Sequence, residues 1–327
     1  MEPFIPRRRI RGGHIQTIVG NFMQRNNLLP KGELRRFQVE RDIEVLCSCH
    51  WQAERQSHVT VVIVHGLEGS IDSNYVIGTG SKAWAKGMNV VRMNMRNCGG
   101  TDDLTPTLYH SGLSNDVARV ASALMEQDSL PAIALVGFSM GGNLVLKCAG
   151  EWGNHAPHQV KAITTVSPAM DLAPSAAALH QGRNRLYELR FMRGLRARYE
   201  RKRKLFPHLY EEVRLPRLAG IWDFDEYITA RYSGFAGAED YYARASSSRV
   251  LEQIAVPTLV IHALDDPFIR VTEGTRRKLL ANPHIKYVET AHGGHCAFIA
   301  EPDIRTGYDG RWAERAVVDF IADNTSR

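Results

Sequence analysis

No stretch of this 327-residue chain approaches the ~18–20 consecutive apolar residues that cross a bilayer as a helix. The longest strongly apolar run, Val59 to Val64, is the length of a strand. No leader sequence is expected either. Arg7, Arg8, Arg9 and Arg11 supply a basic start, but Gly12-Gly13-His14-Ile15-Gln16-Thr17 follows where an apolar segment would be needed. The arm is therefore expected to be solvated rather than a signal peptide. Cysteine is sparse and odd in number: Cys47, Cys49, Cys98, Cys148 and Cys296 show no disulfide spacing. Cys47 and Cys49 fall on one face of a strand-like stretch beside His50, yet no second ligand cluster at zinc spacing accompanies them. Neither a metal nor an organic cofactor is expected, and a reducing cytoplasm fits this cysteine usage. A disordered composition is absent too, since 44% hydrophobic and 23% charged residues are ordinary for a chain with a large core.

Positive charge is concentrated, not general. The net charge is +6, but Arg183 to Lys204 alone carries ten Lys or Arg against Glu188 and Glu200, so the remainder is near −2. A solvated helix face is the first reading of this run. Attraction to an anionic membrane surface is the second, with Arg198, Arg201, Lys202 and Arg203 as the attracting groups. Nucleic-acid binding is not expected, because no recognised module accompanies the run.

Leu34 to Trp51 reads as a strand pair broken near Arg41-Asp42. His58–His65, Asn89–Met95, Ala132–Gly137, Val160–Val166, Pro257–Ala263 and Ile285–Glu289 read as further strands. Runs apolar on both faces belong to parallel strands covered on both sides. Helices are expected at Tyr75–Lys86, Asn115–Gln127 with Ser114 as N-cap, Met140–Glu151 and Ala313–Ala322. The alternation predicts an α/β class with a mostly parallel doubly wound sheet. Residues 168–251 break it, and are expected to form a helical cap inserted into a body made of 1–167 and 252–327. Within the cap, Leu189, Met192, Leu195 and Tyr199 mark one helix face.

Gly137-Phe138-Ser139-Met140-Gly141 matches G-x-S-x-G between a strand and a helix. That context makes Ser139 the expected nucleophile, held on a strained turn whose flanking glycines remove clashing Cβ atoms. A serine hydroxyl needs a base to take its proton and an acid to hold the base, in the chain order serine, acid, histidine. Asp266, three residues after the small residue Ala263 that ends a strand, is the expected acid; Asp265 and Asp171 are alternatives. His295, reached through Gly293-Gly294, is the expected base, with His292 the alternative. Leu67 and Met140 are expected to supply the oxyanion-hole N–H groups. Cys296 is read as packing, since it lacks the elbow context.

Taken together, several motifs carry a resemblance over nearly the full length. They are Gly13-His14-Ile15-Gln16-Thr17, His65-Gly66-Leu67-Glu68-Gly69-Ser70, Tyr109-His110-Ser111-Gly112, the segment Gly137 to Gly142, Asp265-Asp266-Pro267-Phe268 and His292-Gly293-Gly294-His295. The cap phrases Phe224-Asp225-Glu226 and Asp240-Tyr241-Tyr242 accompany them. The chain resembles the YheT-like family of α/β-hydrolases, which includes abhydrolase-domain lipases of animals and the yeast medium-chain ethyl-ester synthase/esterases. The resemblance implies an α/β-hydrolase fold, and carboxylesterase chemistry on short- to medium-chain acyl esters through an acyl-enzyme. A lipase, or an acyltransferase with an alcohol as acceptor, is the alternative on the same scaffold; a non-catalytic binding protein is the reading from another class. It carries the roles of nucleophile, acid and base onto Ser139, Asp266 and His295. Arg96-Asn97-Cys98-Gly99-Gly100 departs from the arginine-glycine pair expected there. Membrane-anchored members carry an N-terminal apolar segment that this sequence does not show.

Overall fold

The computed structural model describes residues 2–210 and 219–325. The remaining positions of the expected body and cap lie outside the described residues. One sheet is built from β1 (Glu33–Glu40), β2 (Ile43–His50), β3 (Thr60–Val64), β4 (Asn89–Met93), β5 (Ile133–Phe138), β6 (Val160–Val166), β7 (Thr258–Ala263) and β8 (Ile285–Thr290). Its order is β1-β2-β4-β3-β5-β6-β7-β8. β1, β2 and β4 pair antiparallel, and every pair from β4 to β8 is parallel. The pair β1–β2 turns at Asp42, whose φ is +59°, at the break the sequence marks.

Side-chain alternation sends each strand's apolar residues to two cores. Val62 and Val64 of β3 join Leu135, Ile163, Val117 and Leu144 on one face. Val61 and Ile63 join Val136, Val76 and Val317 on the other. Ahead of the sheet in sequence comes α1 (Gly13–Phe22), and the helices that cover these faces include α2 (Asn74–Ala85), α3 (Ser114–Glu126) and α4 (Met140–Trp152). Both faces are therefore closed, as a parallel sheet requires. The chain leaves β3 toward β4 on one side and returns to β5 on the other. That reversal opens a crevice beyond the carboxyl ends of β3 and β5, where α/β sheets bind ligands.

Between β6 and β7 the described residues form helices and turns: α5 (Leu172–Leu179), α6 (Arg185–Leu205), α7 (Ile221–Phe224) leading into a wide turn at Asp225–Ala230, and α8 (Ala238–Ala245). Met192, Leu195 and Tyr199 of α6 are buried, but Leu189 is 61% exposed. The charged side of α6 is not simply solvated. Arg198 and Lys202 are buried, with Lys202 Nζ donating to the carbonyls of Asp102 and Thr105. Arg201 pairs with Asp102 at 3.1 Å and Arg203 with Glu200 at 3.1 Å. The four cations named in the membrane reading each have partners within the protein.

After the cap come α9 (Glu273–Ala281) and α10 (Trp312–Thr325). Two of these helices are additions to the pattern read from sequence, α1 and α9. Ser114 is the first residue inside α3 rather than its cap, and its hydroxyl donates to Glu151. Among the described residues no helix is long and apolar enough to cross a membrane.

Candidate active site

β5 ends at Phe138, and α4 begins at Met140. Ser139 joins them with φ +54° and ψ −119°, a conformation an L-residue adopts only under strain. The turn is tight enough that a Cβ on Gly137 would lie 2.4 Å from the Gly141 carbonyl oxygen, and one on Gly141 2.3 Å from that of His65. Both positions therefore accept only glycine. The backbone of Ser139 is tied down by its N–H to Val166 O (3.0 Å) and by Asn143 N–H to its own carbonyl (3.1 Å).

His295 reaches the same crevice from the loop after β8. Its Nδ1 donates to Asp266 Oδ2 over 2.8 Å, because a carboxylate only accepts. In the neutral ring Nε2 then carries the lone pair. Asp266 Oδ1 accepts from the N–H groups of Phe268 (3.1 Å) and Ile269 (2.9 Å). Burial alone would raise the Asp266 carboxyl, but the His295 ring and the Ile269 N–H outweigh it and hold it below its ordinary range. For His295, burial opposes the charged ring, while Cys296 and Asp266 raise its proton affinity above the ordinary 6.5. Asp266, hydrogen-bonded to the ring at 2.8 Å, is the carboxylate among these raising partners. The Nε2 atom has Cys296 Sγ 3.8 Å away, and no hydrogen bond joins it to Ser139 Oγ in this conformation. Such contacts are often long before substrate binds and tighten with it.

The competing residues have other work. Asp265 accepts from the Gly294 N–H (2.8 Å) and pairs with His292 (3.2 Å), whose side chain is 47% exposed. It braces the glycine loop that carries His295. Asp171 accepts from Thr272 N–H (2.9 Å) and Thr275 Oγ1 (2.8 Å), at the start of α9.

Leu67 lies in the loop after β3. Its neighbours are occupied: Gly66 N–H donates to Tyr75 Oη (2.9 Å), Glu68 N–H to Tyr109 Oη (3.3 Å) and Gly69 N–H to Gly66 O (3.0 Å). Among the described residues no acceptor meets the N–H of Leu67 or of Met140. His65 fixes the loop by donating from Nδ1 to Gly66 O (2.8 Å) while Nε2 accepts from Met95 N–H (3.1 Å). Its burial lowers it to about 4, so the ring stays neutral.

Two cavities meet at Ser139. One is apolar and lies under the cap, walled by Leu67, Leu172, Leu179, Phe191, Phe224 and Phe268. Asp225 borders it, with its carboxylate accepting from Tyr242 and Thr229 hydroxyls at 2.7 Å each, and burial pushes it up to about 6. The other is an open groove between α1, the Leu67 loop and α6, and it also contains His295 and Cys296.

Sequence reasoning gave no role to Thr17, whose Oγ1 accepts the His295 N–H at 2.8 Å. Nor did it give one to Gln16, which clasps Ile299 by its N–H (2.7 Å) and its carbonyl (3.1 Å). The signal was present in the Gly13-to-Thr17 motif, which the resemblance singles out without a mechanism. Arg96, in the departing loop, is buried against Asp116 (Nε to Oδ2, 2.7 Å).

Residues 59–302 match the model of the alpha/beta hydrolase fold. YheT of Escherichia coli (strain K12), whose name marks it as an esterase by inference, is 31% identical over 320 residues, covering 97% of this chain and 92% of that one. Phospholipase ABHD3 of Mus musculus is 25% identical over 250 residues, covering 76% of this chain and 60% of that one. The crystal structure of 2,6-dihydroxy-pseudo-oxynicotine hydrolase overlays with a TM-score of 0.60 at 16% identity, covering 95% of this chain and 71% of that one, and bears on the fold alone. These matches, the eight-stranded sheet and the strained serine turn at its switch point have one reading: the chain is an α/β-hydrolase of esterase/lipase type and belongs to the YheT-like abhydrolase family.

Proposed function

We propose that the protein is a serine carboxylesterase acting on short- to medium-chain acyl esters through an acyl-enzyme. The observation that carries this reading is the His295–Asp266 pair at 2.8 Å, in a crevice shared with a serine on a strained strand-to-helix turn. Ser139 Oγ attacks the ester carbonyl as its proton passes to His295 Nε2. The N–H groups of Leu67 and Met140 stabilise the oxyanion, an arrangement that typically contributes ~10²–10³-fold per donor. The carbon–oxygen bond to the alcohol breaks, and the alcohol leaves with the proton from His295. Water, deprotonated by the same nitrogen, then attacks the acyl carbonyl, and Ser139 recovers its proton as the acid departs. No step requires a metal or an organic cofactor.

The two cavities divide the substrate. The acyl chain fits the apolar chamber under the cap, and the alcohol fits the open groove. An alcohol entering by that groove in place of water would make the enzyme an acyltransferase. Product ratios in water–ethanol mixtures separate the two outcomes.

The direct test is a series of p-nitrophenyl esters of increasing acyl length on wild type and Ser139→Ala. Wild type should show an optimum at short to medium length, and Ser139→Ala should fall to background. Equal activity in the two would reject the mechanism. A wild type inert on every ester would favour a binding protein.

A further inference from the structure

Helix α1 is amphipathic in reverse. Its buried residues are Gln16, Thr17 and Gly20, whereas Ile15, Ile18 and Phe22 are 50%, 48% and 71% exposed. The exposed set has i, i+3, i+7 spacing, so it forms one stripe. The polar face has a reason to be inside: Gln16 and Thr17 bind the His295 loop, and a Cβ on Gly20 would lie 2.6 Å from Ala297 Cβ. Folding supplies no reason for the apolar stripe outside.

The start of α6 continues this surface. His14 Nδ1 lies 3.0 Å from Tyr187 Oη, and the Arg190 guanidinium is 6.0 Å from the centre of the Phe22 ring. Leu186 and Leu189 are 74% and 61% exposed, and with Arg190 and Arg193 they fall at i, i+3, i+4, i+7 on one helix face. Arg183, Arg185, Arg190 and Arg193 are all exposed. Among the described residues none of these four has a carboxylate within ion-pair distance, unlike Arg198, Arg201 and Arg203 further along. The groove holding Ser139 and His295 opens here, with Ile18, Phe22, Arg190 and Arg193 in its wall.

We propose that the α1–α6 surface docks on an anionic lipid interface, with the five exposed apolar side chains entering the headgroup boundary and the arginines contacting lipid anions. Exposed apolar residues beside unpaired cations are what such a surface binds. A second copy of the chain is a poorer occupant, because a twofold contact through this patch would set Arg183, Arg185, Arg190 and Arg193 against their own copies. That the docked groove draws its ester from the lipid layer rests on the esterase reading; the binding itself does not.

The test is co-sedimentation with vesicles of phosphatidylcholine alone or mixed equally with phosphatidylglycerol. Wild type should bind the mixed vesicles, release with added salt, and ignore the neutral ones. The triple variant Ile15→Ser/Leu186→Ser/Leu189→Ser and the pair Arg183→Gln/Arg185→Gln should each lose about tenfold or more in binding. Both should keep hydrolysis of a monomeric soluble ester, which also reports that they fold. Arg277→Gln/Lys286→Gln, exposed on another face, should bind as wild type does. Wild type failing to bind, or the first two variants binding unchanged, overturns the proposal. So does a dimer in sedimentation analysis that the triple variant dissolves. A wild type that binds vesicles but hydrolyses no soluble ester counts against the esterase reading alone.

Discussion

Arg198 of α6 meets Glu68 of the loop after β3, with Nε 3.2 Å from Oε1. The pair is joined by Tyr109, whose hydroxyl donates to Glu68 Oε1 at 2.6 Å, while Arg198 also donates to the Asn97 carbonyl. Glu68 itself has φ +56° and follows directly after Leu67. The cap thus holds, through one ion pair, the loop expected to stabilise the oxyanion.

Removing one partner leaves a poorly solvated charge. The two side chains are only 8% and 19% exposed, so Arg198→Met should cost about 2–4 kcal/mol in urea unfolding. It should also lower kcat about tenfold as Leu67 loses its brace. Glu68→Gln/Arg198→Met should be less destabilised than the sum of the single changes. Strictly additive losses would mean that the pair does not act as a unit.

Gly194 makes room for that contact. An alanine inside a helix ordinarily gains about 1 kcal/mol over glycine. Here its Cβ would lie 2.1 Å from Glu68 Oε2, on a carboxylate that Arg198 and Tyr109 pin in place through Oε1. Gly194→Ala should therefore destabilise the wild type, yet stabilise a Glu68→Ala background. Thermal melts of the four proteins check both signs.

The base must be neutral at Nε2 to accept the Ser139 proton. The raised proton affinity of His295 puts the acid limb of kcat/KM above pH 6.5, with activity climbing as pH rises through it. Asp266→Asn removes the raising carboxylate and leaves burial, which lowers. Its limb should move to lower pH, with a rate loss on the order of 10³–10⁴-fold. A limb that stays in place would show that Asp266 does not set the charge of the ring.

The neighbouring aspartate should behave differently. Asp265→Asn keeps an oxygen for the Gly294 N–H but loses the charge facing His292. It should cost less than about tenfold in kcat and leave the pH limb unchanged. A loss as large as that of Asp266→Asn would exchange the two assignments.

Much of this was legible from residue order. Strands such as Thr60–Val64 are apolar on both faces, which only a covered parallel sheet explains, and the elbow at Ser139 announces itself through the strand before it and the helix after it. The sequence favours Asp266 over the adjacent Asp265 only by its distance from Ala263, because successive side chains diverge and the path of the loop decides which meets the ring. Helix α1 escaped notice because its apolar stripe faces outward and no side chain caps its start. Helix α9 buries only Thr275 and Leu279, too few for a periodic signal. The charge run of α6 hid two opposite fates: its first turns stay in solvent, whereas Arg198 and Lys202 turn inward to carbonyls and carboxylates that belong to distant loops.

The central claim is that Ser139 is the nucleophile, and a fluorophosphonate probe read by peptide mass spectrometry tests it most directly. The account predicts a single adduct on the peptide containing Ser139, absent from Ser139→Ala and retained in Cys296→Ser. An adduct that persists in Ser139→Ala, or one that maps to Cys296, would contradict it.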